Sequence, residues 1–208
     1  MRLSPSTAIS APPDGTNRTP PIQHARFRQG CGPENNRRVR RCLACDSSRM
    51  AQNIFTGIVA KMYDRTSPEM YESALLAATA SFLAGHARGG RALEFGIGTG
   101  RIALPLSERA VDVHGIDISA DMIEELQRKP GAERISSIVG DFAEAVVPGT
   151  FSLVYVVYNS ISNLLEQQEW VRCFCNAARH LEPGGRFIVE LWVPDLRRFP
   201  PEIGRAHV

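Results

Sequence analysis

Short apolar runs alternate along the chain with segments in which apolar residues recur at helical spacing. Runs rich in Val, Ile and Phe predict strands, and apolar residues at every third or fourth position predict helices. The predicted strands span residues 91–95, 111–117, 135–139, 151–158 and 186–192. The predicted helices span residues 68–86, 101–109, 119–128, 142–145 and 167–181. This alternation predicts a three-layer α/β fold, in which a doubly wound, mostly parallel sheet lies between helices.

The apolar positions also indicate which face of each predicted helix packs on the sheet. In the first helix these positions are Tyr71, Leu75, Ala78 and Phe82. In the last helix they are Val171, Phe174, Ala178 and Leu181. The helix that begins after Ser119, a residue type that caps helix N-termini, directs Met122, Ile123 and Leu126 toward the sheet. The continuous apolar run at 151–158 is typical of a central strand that is buried on both faces.

Residues 93–101, with the sequence LEFGIGTGR, place three glycines at alternate positions directly after the first predicted strand. Glycine permits a tight turn there and lets a ligand approach bare backbone. A dinucleotide-binding fingerprint has its third glycine one position later, where this chain has Arg101. A P-loop ends in Gly-Lys-Ser/Thr, and residues 100–102, Gly-Arg-Ile, lack the lysine and the hydroxyl. The loop therefore indicates a nucleotide-like cofactor that is not a triphosphate.

Carboxylates stand at the ends of three predicted strands, which is where ligands of such sheets bind. Glu94 precedes the glycines, and its charge suits a cationic amino group better than a pyrophosphate. Asp117 ends the second strand and can accept hydrogen bonds from both hydroxyls of a ribose. Asp141 and Phe142 follow the third strand and offer a carboxylate and an aromatic face. Together these positions indicate a site for an amino acid moiety, a ribose and an adenine.

Five segments of the sequence resemble, in order and in spacing, the class I S-adenosylmethionine-dependent methyltransferases of the small-molecule type. They are LEFGIGTGR, VHGIDISADM, GDF, FSLVYVVYNSISNL and LEPGGRFIVEL, and the resemblance extends over residues 55–195. It implies a Rossmann-like fold, S-adenosyl-L-methionine as cofactor, and methyl transfer by in-line displacement. Family members continue with a sixth and a seventh strand. Because only residues 194–208 follow the fifth predicted strand here, the resemblance implies that strands six and seven are missing.

The resemblance also implies roles for single residues. Asp117 is expected to bind the ribose hydroxyls, Asp141 to accept from the adenine amino group, and Tyr63 to reach over the cofactor carboxylate. For Tyr63 the alternative is an aromatic ring that only packs against the neighbouring helix. The other implied cofactor-binding residues hold the methionine part or line the adenine: Glu94, Gly96, Gly98, Thr99, Gly100, Arg101, Ile118, Met122 and Phe142. The candidates on the acceptor side are Tyr158, Asn159 and Ser160, with a structural cap of the next turn as the alternative for Asn159.

The residues after the fourth predicted strand limit the methyl acceptor. Base-amino methyltransferases carry an Asp/Asn-Pro-Pro-aromatic run there, whereas residues 158–161 read YNSI, and the chain lacks the Pro-Cys pair of cytosine-carbon enzymes. Beyond residue 49 the formal charge is −4, which does not favour a nucleic-acid face. We therefore expect an N or O atom of a small molecule as the acceptor, with no nucleic-acid partner and no general base identified. An inactive cofactor-binding fragment and an NAD-dependent oxidoreductase stay open as alternatives.

Composition divides the 208-residue chain into three parts. Residues 1–49 contain nine arginines, three acidic residues, six of the 14 prolines and no hydrophobic periodicity, so we expect a disordered extension. Residues 50–201 are expected to form the methyltransferase domain, incomplete at its C-terminal end. Residues 202–208, EIGRAHV, correspond to a translation of common sequencing-adapter DNA and are expected to be a non-native tail.

Cysteine spacing and hydropathy bear on metal binding and location. Cys42 and Cys45 have zinc-ligand spacing, with Cys31 and His24 nearby, but the intervals match no familiar finger, so we expect reduced thiols and no metal. The N-terminus lacks the apolar core of a secretory signal. The longest apolar run, residues 153–158, is far shorter than the roughly 20 residues that a membrane span needs. We therefore expect a cytoplasmic protein without a membrane partner.

Overall fold

The computed structural model describes residues 53–66 and 68–192. Its strands are β1 (Arg91–Phe95), β2 (Asp112–Asp117), β3 (Ser136–Val139), β4 (Phe151–Val156) and β5 (Leu181–Val189). They form one parallel sheet in the order β3-β2-β1-β4-β5. The chain runs outward from β1 to β3 and then returns to place β4 on the other side of β1. The carboxyl ends of β1 and β4 therefore meet at the switch point where ligands of such sheets bind.

Helices cover both faces of this sheet, which confirms the predicted three-layer Rossmann-like architecture. They are α1 (Ile58–Thr66), α2 (Ser73–Ala87), α3 (Ala103–Ser107), α4 (Ala120–Gln127) and α5 (Gln167–His180). Short 3-10 turns span Pro68–Tyr71, Ala132–Arg134 and Ser160–Asn163. One core cluster joins α2, α3 and α4 to the sheet through residues such as Leu83, Leu106 and Leu126. A second cluster lies on the opposite face, where Cys173 and Ala177 of α5 pack.

β4 is buried along its whole length, as its continuous apolar run predicts. Leu153 and Tyr155 belong to one core cluster, and Val154 and Val156 belong to the other. Burial of a large apolar side chain contributes roughly 1.5–3 kcal/mol to stability, so β4 is a main source of stability for the sheet. β5 is only half-buried, because within residues 53–192 it pairs with β4 alone.

The buried faces of two helices differ from the predicted ones. In α2 the buried residues are Ala80, Leu83 and Ala87, whereas Leu75 of the predicted stripe is 44% exposed. In α5 the buried residues are Cys173, Asn176, Ala177 and His180, whereas Val171 is 51% exposed. Phe82 of the α2 stripe and Phe174 and Leu181 of the α5 stripe do pack against the core clusters. The α5 stripe is therefore only partly right, because two polar residues also face the protein, where they bond to backbone groups.

Some predicted boundaries were also wrong. Residues 142–145 form a single turn and not a helix, because the amide of Val147 donates to His180 and not to the preceding turn. The predicted first helix is interrupted at Glu72, between the 3-10 turn and α2. β5 begins five residues earlier than predicted and includes Pro183, which a register shift against β4 accommodates.

Several predictions concern residues that lie outside the described ranges. They are the extension at 1–49, the tail at 202–208, and the zinc-like spacing at His24, Cys31, Cys42 and Cys45. Within the described ranges, no three or more His, Cys, Asp and Glu side chains are grouped so that they could hold a metal ion. The helices of the same ranges are too short or too polar to cross a lipid bilayer.

Candidate cofactor site

The glycine loop follows β1 and turns sharply because its glycines adopt left-handed backbone conformations. Gly96, Gly98 and Gly100 have φ values of 74°, 54° and 78°, which residues with a Cβ rarely adopt. The amides of Gly96 and Ile97 both donate to the Ile116 carbonyl in β2, at 2.8 and 3.0 Å. These bonds fix the loop to the end of the neighbouring strand.

Asp117 lies at the carboxyl end of β2 and binds the glycine loop directly. Its carboxylate accepts from the amide of Gly98 at 2.7 Å and from the amide of Ser119 at 2.8 Å. The residue is only 8% exposed, and burial raises its pKa in spite of these two hydrogen bonds. A carboxylate has about four acceptor positions, so two stay available after the backbone bonds. This is what the binding of two ribose hydroxyls requires.

Glu94 immediately precedes the glycine loop and is 2% exposed. One of its oxygens accepts from the Tyr155 hydroxyl at 2.9 Å. Burial raises the pKa of Glu94 to about 8, although the Tyr155 hydrogen bond and the charge of Arg101 act in the opposite direction. Near neutral pH the group is therefore mostly protonated, and a cation placed beside it would favour the ionised form.

The cap, which comprises residues 53–66 and the turn Pro68–Tyr71, is attached to the start of α4. The Gly57 amide donates to the Asp121 carboxylate at 2.5 Å. The Ser119 hydroxyl, which also accepts from the Met122 amide as the N-cap of α4, donates to the carbonyl of Phe55. Because α4 starts directly after Asp117, these bonds bring α1 next to the predicted ribose position.

Tyr63 lies on α1, half-buried beside the predicted site. Its ring meets the Phe55 ring edge-on, with centroids 5.9 Å apart. Burial raises the pKa of Tyr63, while the charge of Arg101 acts to lower it and that of Asp117 acts to raise it. The next residue, Asp64, bonds to Thr99 of the glycine loop, which brings Tyr63 close to the site. Its contact with Phe55 equally fits the packing alternative, so its role toward the cofactor stays a prediction.

Thr99 and Arg101 lie at the end of the glycine loop, and both side chains form contacts with other parts of the protein. Thr99 is 2% exposed and donates its hydroxyl to Asp64 at 2.6 Å. Arg101 donates to the Met70 carbonyl at 3.1 Å, and its guanidinium lies 4.4 Å from the centroid of the Tyr158 ring. Arg101 therefore connects the cap with the acceptor side. Contacts of either residue with the methionine part stay a prediction.

Ile118 and Met122, which are predicted to line the adenine, lie where β2 passes into α4. Met122 is 4% exposed, and a Cβ built on Gly98 would lie 3.3 Å from its terminal methyl group. Ile118 is half-buried and directly follows Asp117. The structure therefore places both residues beside the glycine loop and the Asp117 carboxylate.

Asp141 and Phe142 follow β3 but differ in exposure. Asp141 is exposed, and one of its oxygens accepts from the Ala143 amide at 2.8 Å. Phe142 is 9% exposed, and its ring stacks on Phe95 with centroids 5.6 Å apart. The Phe142 ring therefore packs mainly in the core, and its contact with the adenine stays a prediction.

Two polar residues of α5 hold the loop that follows Asp141. The Asn176 side chain donates to the carbonyls of Phe142 and Ala145 at 2.9 and 2.8 Å. The Nε2 atom of His180 accepts from the Val147 amide at 2.9 Å. Burial lowers the pKa of His180, which favours the neutral ring that this bond needs. Hydrophobic periodicity could not identify these residues, and their only signal was two polar positions on an otherwise apolar helix face.

Residues 158–160 follow β4 on the acceptor side. Tyr158 and Asn159 have φ values of 55° and 58°, a conformation that costs about 1–2 kcal/mol per residue for side chains other than glycine. The Tyr158 amide donates to Glu190 at 2.9 Å. The Asn159 side chain accepts from the Ser162 hydroxyl at 2.9 Å, which supports its structural role in the turn. Tyr158 itself is 41% exposed, and its ring lies beside the Arg101 guanidinium.

The glycine loop packs closely against the rest of the protein, so larger residues would clash at two of its positions. A Cβ built on Gly96 would lie 3.3 Å from the Cβ of Ser160, and one on Gly100 would lie 2.2 Å from a methyl group of Leu126. Bare backbone at these positions is combined with buried carboxylates at the ends of β1 and β2. The residues present therefore fit a nucleoside that carries an amino acid moiety.

Comparison with known proteins agrees with this geometry. A family described as a methyltransferase domain matches residues 92–185. Cypemycin N-terminal methyltransferase from a Streptomyces species is 29% identical over 140 residues, which cover 64% of this chain and 57% of that protein. The dTDP-3-amino-3,4,6-trideoxy-α-D-glucopyranose N,N-dimethyltransferase of Streptomyces venezuelae is 27% identical over 100 residues, 48% of this chain and 41% of that protein.

A solved structure adds the fold. The CcbJ methyltransferase from Streptomyces caelestis is 34% identical and superposes with a TM-score of 0.53 over 55% of this chain and 47% of that one. The chain thus spans about half the length of the relatives that it matches. The residues that the family matches, 92–185, contain the glycine loop, Asp117 and most of the sheet. Residues 92–185 therefore match a methyltransferase domain, and the chain is similar in sequence and fold to S-adenosylmethionine-dependent methyltransferases, whose cofactor is S-adenosylmethionine.

Proposed function

We propose that this protein transfers the methyl group of S-adenosylmethionine to a nitrogen atom of a small-molecule acceptor. The observation that carries the proposal is the Asp117 carboxylate, which two backbone amides hold beside three left-handed glycines. Nitrogen is favoured over oxygen because one relative is named an N-terminal methyltransferase and another an N,N-dimethyltransferase of an amino sugar.

The described residues offer a group for each part of the cofactor. Asp117 would accept from the ribose hydroxyls, and Glu94 with the glycine loop would hold the amino acid moiety. Ile118 and Met122 would line the adenine, and Asp141 would accept from its amino group. Because Asp117 and Glu94 are buried, their interactions with the cofactor are shielded from water and correspondingly stronger.

The protein's contribution to the reaction is alignment. When bound, S-adenosylmethionine supplies a methyl group on a sulfonium, which is already an activated leaving group. Tyr158 and Arg101 border the opening through which an acceptor would reach that group. An amine that arrives neutral attacks directly and needs no general base, whereas an ammonium must first lose a proton. Positioning and exclusion of water are therefore enough for catalysis of a neutral amine.

Calorimetry tests the cofactor part of the proposal. The full-length chain is titrated with S-adenosylhomocysteine and, separately, with NAD. We expect a dissociation constant on the order of micromolar for S-adenosylhomocysteine and no binding of NAD. Asp117→Ala should weaken binding by about 100-fold or more, since hydrogen bonds to a charged group contribute about 1.5–3 kcal/mol each.

Asp112→Ala is the matched control, because Asp112 lies at the opposite end of β2 with an exposed side chain that pairs with Arg91. It should leave binding unchanged, since exposed ion pairs contribute little. Preference for NAD, or equal effects of both substitutions, would contradict the proposal.

A methyl-transfer assay tests the acceptor. The chain is incubated with methyl-labelled S-adenosylmethionine and a panel of small primary and secondary amines, phenols and alcohols. We expect label in amines alone, with one S-adenosylhomocysteine formed for each methyl group transferred. Label in phenols or alcohols alone would refute the choice of nitrogen, whereas the calorimetric result would still identify the cofactor.

A further inference from the structure

The carboxylate of Asp64 is the centre of a polar cluster that unites four separate parts of the chain. The Asp64 cluster consists of Asp64 in α1, Tyr71 in the cap turn, Thr99 in the glycine loop and Lys129 after α4. Asp64 and Tyr71 are 7 positions apart in the sequence, and every other pair in the cluster is separated by 28 to 65 positions. None of them was expected from the sequence to interact with another.

The contacts use both oxygens of the carboxylate. One oxygen accepts from the Thr99 hydroxyl at 2.6 Å and from the Tyr71 hydroxyl. The Lys129 ammonium lies 2.5 Å from the other oxygen. The same ammonium donates to the Thr99 carbonyl at 2.7 Å. Thr99 is therefore held at its side chain by Asp64 and at its backbone by Lys129.

Partial burial makes this ion pair unlike the other pairs around it. The side chains of Asp64 and Lys129 are 33% and 25% exposed, whereas those of Glu124 and Arg128 in a neighbouring surface pair are 60% and 51% exposed. Burial raises the pKa of Asp64, but the hydrogen bonds from Lys129, Thr99 and Tyr71 outweigh it and hold the pKa below its usual value. Loss of one partner would leave the other charge poorly solvated.

Thr99 links the cluster to the cofactor site. It stands between Gly98 and Gly100, which both have left-handed backbone, and the Gly98 amide is the one that binds Asp117. A continuous chain of bonds therefore runs from α1 through Asp64 and Thr99 to the ribose-binding carboxylate. Tyr63, which precedes Asp64 in α1, is positioned by the same contact.

We propose that Asp64 and Lys129 are positioning residues that hold the cap on the glycine loop, so that cap closure and cofactor binding strengthen each other. The second half of this statement rests on the proposed function, whereas the first half concerns the chain alone. Coupling of this kind requires that the closed cap and the ordered loop share contacts, and Thr99 supplies them.

Lysine labelling tests the closed cap without any ligand. The chain contains only two lysines, Lys61 and Lys129, and both lie beside the cap. An amine-reactive acetylating reagent is applied to the full-length protein, and modification of each lysine is followed by mass spectrometry. Because Lys129 must leave Asp64 before it reacts, we expect it to react about tenfold more slowly than Lys61, in proportion to the fraction of open cap. Asp64→Asn should remove this difference.

Calorimetry with S-adenosylhomocysteine tests the coupling. We expect Asp64→Asn and Lys129→Met each to raise the dissociation constant about tenfold, and the double variant to bind no worse than the weaker single variant. Saturating ligand should slow the labelling of Lys129 further in the wild type and leave that of Lys61 unchanged. Lys61→Met and Glu133→Gln, which remove the same charges at exposed positions nearby, should bind within about twofold of the wild type.

The possible outcomes separate the two proposals. Equal labelling of the two lysines in the wild type would overturn the positioning role. Wild-type affinity in both single variants, or effects that multiply in the double variant, would overturn the coupling. Failure of the wild type to bind S-adenosylhomocysteine while Lys129 stays protected would refute the proposed function and leave the closed cap in place. If Asp64→Asn does not fold, as judged by circular dichroism, Lys129→Met decides the binding test alone.

Discussion

The ends of β1 and β2 differ from the ends of β4 and β5 in how their polar groups are held. At β1 and β2, Glu94, Thr99 and Asp117 are all less than a tenth exposed, and each forms a hydrogen bond to protein. At β4 and β5, Tyr158 and Glu190 are exposed, and the Tyr158 amide donates a hydrogen bond to the Glu190 carboxylate. The cofactor half is thus internally bonded, whereas the acceptor half is open.

This difference indicates that the two halves have different requirements, one for binding a constant cofactor and the other for binding an acceptor. A cofactor that is always the same molecule can bind to preorganised groups, because no side chain has to move to accommodate it. A loop with left-handed residues such as Tyr158 and Asn159 holds its shape under strain and can change with modest loss of packing. We expect substitutions in the cofactor half to alter both folding and cofactor affinity, and substitutions in the acceptor half to alter neither strongly.

The largest effect is expected at Gly100. Gly100→Ala would place a methyl group 2.2 Å from the core side chain of Leu126 at a position where φ is 78°. Backbone strain and overpacking together should lower the free energy of unfolding by about 2–4 kcal/mol. Urea denaturation followed by circular dichroism measures this change.

Gly85→Ala provides the matched control for this prediction. Gly85 lies in α2 without any heavy atom within 4 Å of an added Cβ. Alanine there should raise the free energy of unfolding by about 0.5–1 kcal/mol, because alanine favours helix more than glycine does. A Gly100→Ala variant that is as stable as Gly85→Ala would show that the loop is not held as the structure indicates.

A smaller effect, which depends on pH, is expected at Glu94. Burial raises the pKa of Glu94 to about 8 in the folded protein, whereas the value in an unfolded chain is about 4.5. The folded state therefore binds the extra proton between these values, so this contribution to stability is present at low pH and is lost as pH rises through 8. Glu94→Gln removes the titration and retains an acceptor for the Tyr155 hydroxyl.

Urea denaturation at pH 7 and at pH 9 checks the sign of this effect. Relative to the wild type, Glu94→Gln should gain about 1–2 kcal/mol of unfolding free energy between the two pH values. Over the same interval the affinity of Glu94→Gln for S-adenosylhomocysteine should fall relative to that of the wild type. Only the wild type gains a carboxylate near the amino group of the ligand as the pH rises. A stability difference that does not change with pH would mean that Glu94 ionises normally.

The smallest effect is expected at Tyr158. Tyr158→Ala removes the ring that lies against the Arg101 guanidinium, an interaction that contributes about 0.5–1 kcal/mol at exposed sites. The affinity for S-adenosylhomocysteine should stay within about threefold of the wild type, as measured by calorimetry. A tenfold loss would show that the acceptor side and the cofactor side cannot be separated.

The sequence predicts the cofactor half well because its signals are local. The bounds of β1 coincide with the predicted strand, and β2 begins one residue later than predicted. Ser119 caps α4 as predicted, because a cap requires only a hydroxyl beside the first helical turn. Glycine spacing and the carboxylate after each strand likewise need no knowledge of distant residues.

Features that depend on distant contacts could not be predicted in this way. The pairing of Asp64 with Thr99 and Lys129 joins residues 35 and 65 positions apart, and nothing in their neighbourhoods indicates it. The buried polar residues of α5 were missed for a related reason. Asn176 faces inward because its side chain donates hydrogen bonds to two distant backbone carbonyls that would otherwise be unpaired. The hydrophobicity of the side chain gives no information about such bonds.

The hydrogen bond between the Gly98 amide and Asp117 has a kinetic consequence. Because this bond fixes the loop and the carboxylate to each other, arrival of a nucleoside would require no slow rearrangement of β1 or β2. The cap is bonded to the same loop through Asp64 and Thr99. Under the proposed function, exchange of product for methyl donor would then depend on how often residues 53–66 open, and that opening would limit the turnover of a fast acceptor.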